Sequence, residues 1–168
     1  MALIVEDGTG LSTAESYISV ADATTYFSNR GNTTWAAIAT DALREAYLRL
    51  ATEYMTQMYR SRWEGARYTE DQSLDWPRTG VVRDSWSVDT DEVPVEVQRA
   101  CAELALKQSA GDLAPDLTQG VIREKVDVIE VEYDKASPQY TRYRAIDAML
   151  KPYLNASSSG PCVGLVRV

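Results

Sequence analysis

Apolar residues recur along this chain at helical intervals in four places. Tyr17, Val20, Ala23, Tyr26 and Phe27 fall three or four positions apart, the spacing that lines one face of a helix. Ser19-Val20-Ala21-Asp22 reads as a capping box and Gly31 as a stop, so a first helix is expected over 20–30. After a short turn at 34–39, Thr40 can cap the strongest helix, 41–60, with Leu43, Ala46, Tyr47, Leu50, Tyr54, Met55 and Met58 as its apolar stripe. Pro94 opens a third helix reaching about residue 110, with Val97, Cys101, Leu104 and Ala105 on its inner face. A fourth is expected over 139–154 from Tyr143, Ile146, Met149, Leu150 and Tyr153, shortened at its end by Pro152.

Two stretches break that period. In 121–134 the apolar residues alternate, with a phase flip at Asp127-Val128, which predicts a β-hairpin with a charged face carrying Glu130 and Glu132. Residues 61–93 show no sustained period and read as a long irregular connection, a feature that tends to be functional inside a compact domain. The expected fold is therefore mainly α: a small bundle of about four helices with a β-hairpin, occupying 1–154. Beyond it, NASSSGP reads as a flexible linker and CVGLVRV as an extended tail, together 155–168.

Composition narrows the chemistry. The 168 residues contain no His, which removes Ser-His-Asp and Cys-His nucleophile systems and His-ligated zinc. Cys101 and Cys162 cannot form a four-thiolate site, and Cys101 sits in a helical apolar stripe, where a buried reduced thiol is expected. No metal, cofactor or catalytic residue is expected, and the chain is not read as an enzyme. No apolar run is long enough to span a bilayer, and the acidic N-terminus is unlike a secretory signal, so a soluble protein made in the cytoplasm is expected.

Seventeen Lys and Arg stand against 25 Asp and Glu, a net charge of −8. Residues 84–119 hold eight acids against Arg99 and Lys107, and they include Asp89, Asp91 and Glu92. Such blocks read as solvated faces or as an acidic surface past which a polyanion moves without sticking. Paired acids such as Asp89 with Asp91 and Glu92 arise by chance in so acidic a chain and nothing marks a cleft for hydrolysis, and the run lacks the spacing of a calcium loop. Gly8-Thr9-Gly10 is a fragment of a phosphate-loop pattern and reads as a turn. The aromatic and basic residues of 61–93 (Trp63, Trp76 and Trp86 with Arg62, Arg67, Arg78 and Arg83) admit three readings: helical-core caps with locally paired arginines, a protein interface, or a platform for single-stranded nucleic acid.

Taken in order, the opening MALIVEDGTGLSTAESYISVADATTYFSNRG, the Leu74-Asp75-Trp76-Pro77-Arg78-Thr79-Gly80 segment, the VPVEVQRACAELAL helix, the VIREKVDVIEVEYD hairpin, the YRAIDAMLKPYL helix and the apolar tail resemble one family. It is that of the head–tail connector (adaptor, or head completion) proteins of tailed bacteriophages, which also carries the label DnaT-like after a primosomal single-strand-binding protein. The resemblance implies a virion structural protein of the phage neck, assembled in the host cytoplasm. It would form a homo-oligomeric ring of about twelve copies below the portal. Its partners would be the portal protein and a stopper or other neck protein, with packaged DNA passing through unbound and no membrane involved. On that reading Trp63, Trp76, Pro77, Arg78, Trp86, Val163, Leu165, Val166 and Val168 are interface residues. Asp89, Asp91, Glu92, Glu130 and Glu132 would face the channel, where Asp127-Val128 departs from the Gly-Pro turn expected in the hairpin. The alternative carried beside it is a DnaT-like replication accessory that binds single-stranded DNA through Trp76 and Arg78.

Overall fold

The computed structural model describes residues 2–115 and 141–155, and the backbone of 125–126 and 129–130. Helix α1 spans Val20–Ser28, α2 Thr33–Ala36, α3 Asp41–Tyr59, α4 Val95–Gln108 and α5 Arg144–Leu150, the last continued by a 3-10 turn at Lys151–Tyr153. The caps are those the sequence predicts. Ser19 Oγ accepts from the Asp22 amide at 3.0 Å and donates to its carboxylate at 2.6 Å. Thr40 Oγ1 accepts from the Leu43 amide. Pro94 precedes α4, and Pro152 turns the end of α5 into the 3-10 segment.

The core forms where α3 packs on α4 and α4 on α5, with α1 and α2 closing one side. Phe27 of α1 lies 5.1 Å from the Trp35 ring of α2, whose indole Nε1 donates to Thr24 at 3.0 Å. On α4 the buried residues are Val97, Ala100, Cys101, Ala102, Leu104 and Ala105, which contain the expected stripe. On α3 the buried face only partly overlaps the expected stripe. Leu48, Ala51, Thr52, Tyr54, Met55 and Tyr59 point inward, whereas Leu43 and Leu50 are 44% and 42% exposed. Small side chains decide this. Ala51 and Thr52 let α3 approach the alanine-rich face of α4, and Thr52 Oγ1 lies 3.3 Å from Cys101 Sγ while donating to the Leu48 carbonyl. Tyr54 and Met55 of the expected stripe are buried and Tyr47 and Met58 pack against the core, so the buried face is rotated toward Leu48, Ala51 and Thr52 and leaves Leu43 and Leu50 outside.

The connection 61–93 is more ordered than its lack of period suggests. Strand β1 (Ala66–Arg67) pairs antiparallel with β2 (Arg78–Thr79), and β3 (Val82–Arg83) with β4 (Trp86–Ser87). Each strand has two residues, too few for alternation to show. The β3–β4 turn is Asp84-Ser85, both at positive φ (50° and 72°), as a two-residue hairpin turn requires. Gly65, at φ 70°, lies against the Thr79 carbonyl so closely that a Cβ would collide with it. A further pair, β5 (Lys125–Val126) and β6 (Ile129–Glu130), is antiparallel with Val126 opposite Ile129, in agreement with a hairpin turning at residues 127–128. The rest of 121–134, including Glu132, and the tail residues Val163, Leu165, Val166 and Val168 lie outside the described residues.

Leu48→Ala should lower unfolding free energy by about 2–5 kcal/mol, while Leu50→Ala, on the open face of α3, should cost less than about 1. Urea denaturation of both variants checks which face of α3 is buried; equal costs would contradict it.

Candidate functional site

Four residues expected at an interface lie inside the chain. Trp63 and Trp76 are 3% and 0% exposed, Arg78 is 6% exposed, and Pro77 is buried. Arg78 is a buried clamp: Nε donates to the Glu64 carbonyl at 2.7 Å, one terminal nitrogen to Gly65 at 2.7 Å and the other to Asp75 at 3.1 Å. Burial lowers its pKa from the ordinary arginine value, partly countered by Asp75. Asp75 itself accepts from Arg60 Nε at 3.0 Å, and its amide donates to the Tyr17 hydroxyl at 3.1 Å. Gln72 joins the same loop, accepting from the Thr69 amide and donating to the carbonyls of Leu74 and Pro77. These groups are committed to the fold, so neither a base nor a phosphate can use Trp76 and Arg78. Of the three readings, the core one holds for Trp63, Trp76 and Arg78.

The Gly8-Thr9-Gly10 turn is likewise filled from within. The buried Glu6 carboxylate accepts from the amides of Gly8, Gly10 and Leu11 at 2.8–3.0 Å. An anion cradle is present, and the chain's own carboxylate occupies it. A glutamate two residues before a Gly-x-Gly was the signal in the sequence.

Aromatic rings run through the core in a row from Tyr59 to Trp63, Trp76 and Tyr153, with centroids 5.7, 5.7 and 5.6 Å apart and the last two contacts edge-to-face. Each end of the row meets a surface cleft. At the Tyr59 end, Tyr54, Met58, Tyr59, Arg62, Arg142 and Tyr143 line a small groove between α3 and the start of α5. The Tyr59 hydroxyl donates to Asp147 at 2.7 Å, the Arg62 guanidinium lies 5.2 Å from the Tyr59 centroid, and Lys107 Nζ lies 5.6 Å from that of Tyr143. Tyr54 and Tyr59 are themselves buried, so this groove offers cations at its rim more than open rings.

At the Tyr153 end lies a larger cleft, about 350 Å³, whose walls include Arg83, Trp86, Asp89, Glu92 and Glu96. Arg83 donates to Glu96 at 2.6 Å and to the Tyr153 hydroxyl at 2.7 Å, and that hydroxyl donates to the second Glu96 oxygen at 2.7 Å. Burial and then Glu96 push the Tyr153 phenol up to about 12. Trp86 stands over the cleft 79% exposed. Asp89, Asp91 and Glu92, expected along a channel, form an exposed loop before α4. Among the described residues no cluster of acids and thiols could hold a metal ion, and Cys101 is a buried free thiol.

Residues 1–168, the whole chain, match the model of a family described as "Putative DnaT-like ssDNA binding protein". The chain belongs to that family. No curated protein and no solved structure matches it. The head–tail connector reading is corrected by this match: the family carries a single-strand-binding description, and nothing indicates a phage connector. The portal-bound ring and the DNA that passes through it unheld fall with that reading. The alternative, single-strand binding, is the one the family description favours, though not through Trp76 and Arg78.

Arg78→Ala should cost about 3 kcal/mol by leaving three inward-facing carbonyls without their charged donor, read as a lower urea midpoint at unchanged m. At high pH the unfolded chain loses the Tyr153 proton near 10 and the folded chain only near 12, so stability should fall as pH rises between those values. Tyr153→Phe should reduce that part of the alkaline loss in thermal melts across pH 9–12; an unchanged profile would contradict it.

Proposed function

We propose that this chain binds single-stranded DNA, holding its phosphates along the rim formed by Arg62, Arg142 and Lys107. The whole-chain match to the DnaT-like family carries the reading. The distribution of charge supports the location. In a chain of net charge −8, the groove between α3 and α5 brings Arg62 and Arg142 together, with Lys107 against the shared Tyr143 ring. Arg144 follows in the next position of the sequence and is exposed. Asp147, the carboxylate in the groove, is held by the Tyr59 hydroxyl.

Trp86 is the more obvious stacking surface, and its neighbours argue against that use. A carboxylate about 7 Å from a phosphate in water costs about 0.6 kcal/mol. Asp84, Asp89 and Glu92 together would cost on the order of what stacking one base yields, about 1–3 kcal/mol. The opposite end of the aromatic row sets one groove carboxylate, Asp147, against Arg62 and Arg142, so phosphate contact there meets less repulsion.

Three cations on a single strand give a shallow salt dependence, with log K against log salt sloping by about −2. Anisotropy titration of a fluorescein-labelled dT20 strand with the full chain should show this slope. The Arg62→Ala/Arg142→Ala pair should weaken binding at least about fivefold at 50 mM salt and flatten the slope by about 1.4, while Trp86→Ala leaves both unchanged. Absence of binding at low salt, or binding indifferent to the double substitution, would overturn the proposal.

A further inference from the structure

The geometry points to the Trp86 cleft as a second, separate docking surface, one that takes an arginine- or lysine-bearing peptide segment of a partner protein. Trp86 is the most exposed large apolar side chain among the described residues, at 79%, whereas Trp35, Trp63 and Trp76 are all buried. An indole left in water on a two-residue hairpin contributes little to the fold. Its backbone is nevertheless fixed, because Arg83, its cross-strand partner, is held by Glu96 and Tyr153. The ring therefore stands on a rigid base over a cleft of about 350 Å³ that also exposes Val95.

Charge selects the occupant. Glu96 is engaged by Arg83 and Tyr153, and Asp84 lies 3.6 Å from Arg83. Asp89 and Glu92 line the same cleft, exposed, with no ion pair or hydrogen bond to any other described residue. One cation is thus outnumbered by four carboxylates around an open indole. A guanidinium or ammonium is drawn both to the ring face and to the two carboxylates, while its aliphatic stem covers Val95. A phosphate chain is repelled by the same groups. The surface complements a cationic peptide and is distinct from the Arg62–Arg142 rim, so it does not depend on the DNA-binding reading.

The test is anisotropy titration of a fluorescein-labelled, end-capped tetra-arginine peptide with the full chain at 50 mM salt, beside a tetra-glutamate control. The peptide should bind and the control should not. Trp86→Ala should weaken binding at least fivefold, and so should the Asp89→Asn/Glu92→Gln pair, which keeps the indole; binding of labelled dT20 alone should be unaltered by Trp86→Ala. Four results would overturn the inference: no peptide binding, binding unaltered by both sets of substitutions, loss of dT20 binding on Trp86→Ala (DNA as the occupant), or self-association of the free chain in sedimentation that Trp86→Ala abolishes (a second copy as the occupant).

Discussion

The fold depends on one buried guanidinium. Arg78 gathers the carbonyls of Glu64, Gly65 and Asp75, three points of a connection that has almost no regular structure of its own. Taking a cation out of water is costly, and only charge-assisted bonds to several acceptors make it tolerable. The return is that Trp63, Gln72 and 74–78 become core. Trp76 can sit with no exposure between Trp63 and Tyr153, and bonds from Ser73 to Leu11 and Ala14 and from the Asp75 amide to Tyr17 fasten the loop to the N-terminal segment. Through Trp63 and Trp76 the connection links Tyr59 of α3 to Tyr153 beyond α5.

The same connection sets where the surfaces lie. The aromatic row it anchors ends at Tyr59 on one side and Tyr153 on the other. Tyr59 supports the groove with Arg62 and Arg142, and Tyr153 fixes Arg83 and Glu96 beneath Trp86. The two ends differ in sign of charge. A net anion can thus offer a polyanion a limited cationic rim and keep an acidic aromatic cleft for a different partner.

Helices α1, α3 and α4 were legible from apolar spacing, with caps at Ser19, Thr40 and Pro94 legible from residue type, whereas α2 falls where a turn was expected and α5, expected over 139–154, starts only at Arg144. The buried thiol of Cys101 followed from its stripe. What the pattern misplaced has physical causes. The α3 stripe held for Tyr54 and Met55 but was off by part of a turn at Leu43 and Leu50, because Ala51 and Thr52, small and partly polar, pack closely on α4. The strands β1–β4 have two residues each, below the length at which alternation carries information. Trp76 and Arg78 looked like an interface because aromatic and arginine side by side suit both a binding platform and a buried clamp; only tertiary contacts separate the two. The rim of Arg62, Arg142 and Lys107 joins residues from three distant parts of the chain, and no local pattern announces it. The family resemblance reached the DnaT-like label but weighed the connector role above single-strand binding.

The central claim, that Arg78 fastens the connection 63–79 into the core, is tested most directly by amide hydrogen exchange of the full chain. The amides of Tyr68, Ser73 and Asp75 donate to Pro77, Leu11 and the Tyr17 hydroxyl, and they should exchange as slowly as those inside α4. Rapid exchange throughout 63–79 beside slow exchange in α3 and α4 would show a loop lying on a helical bundle, and would contradict the account.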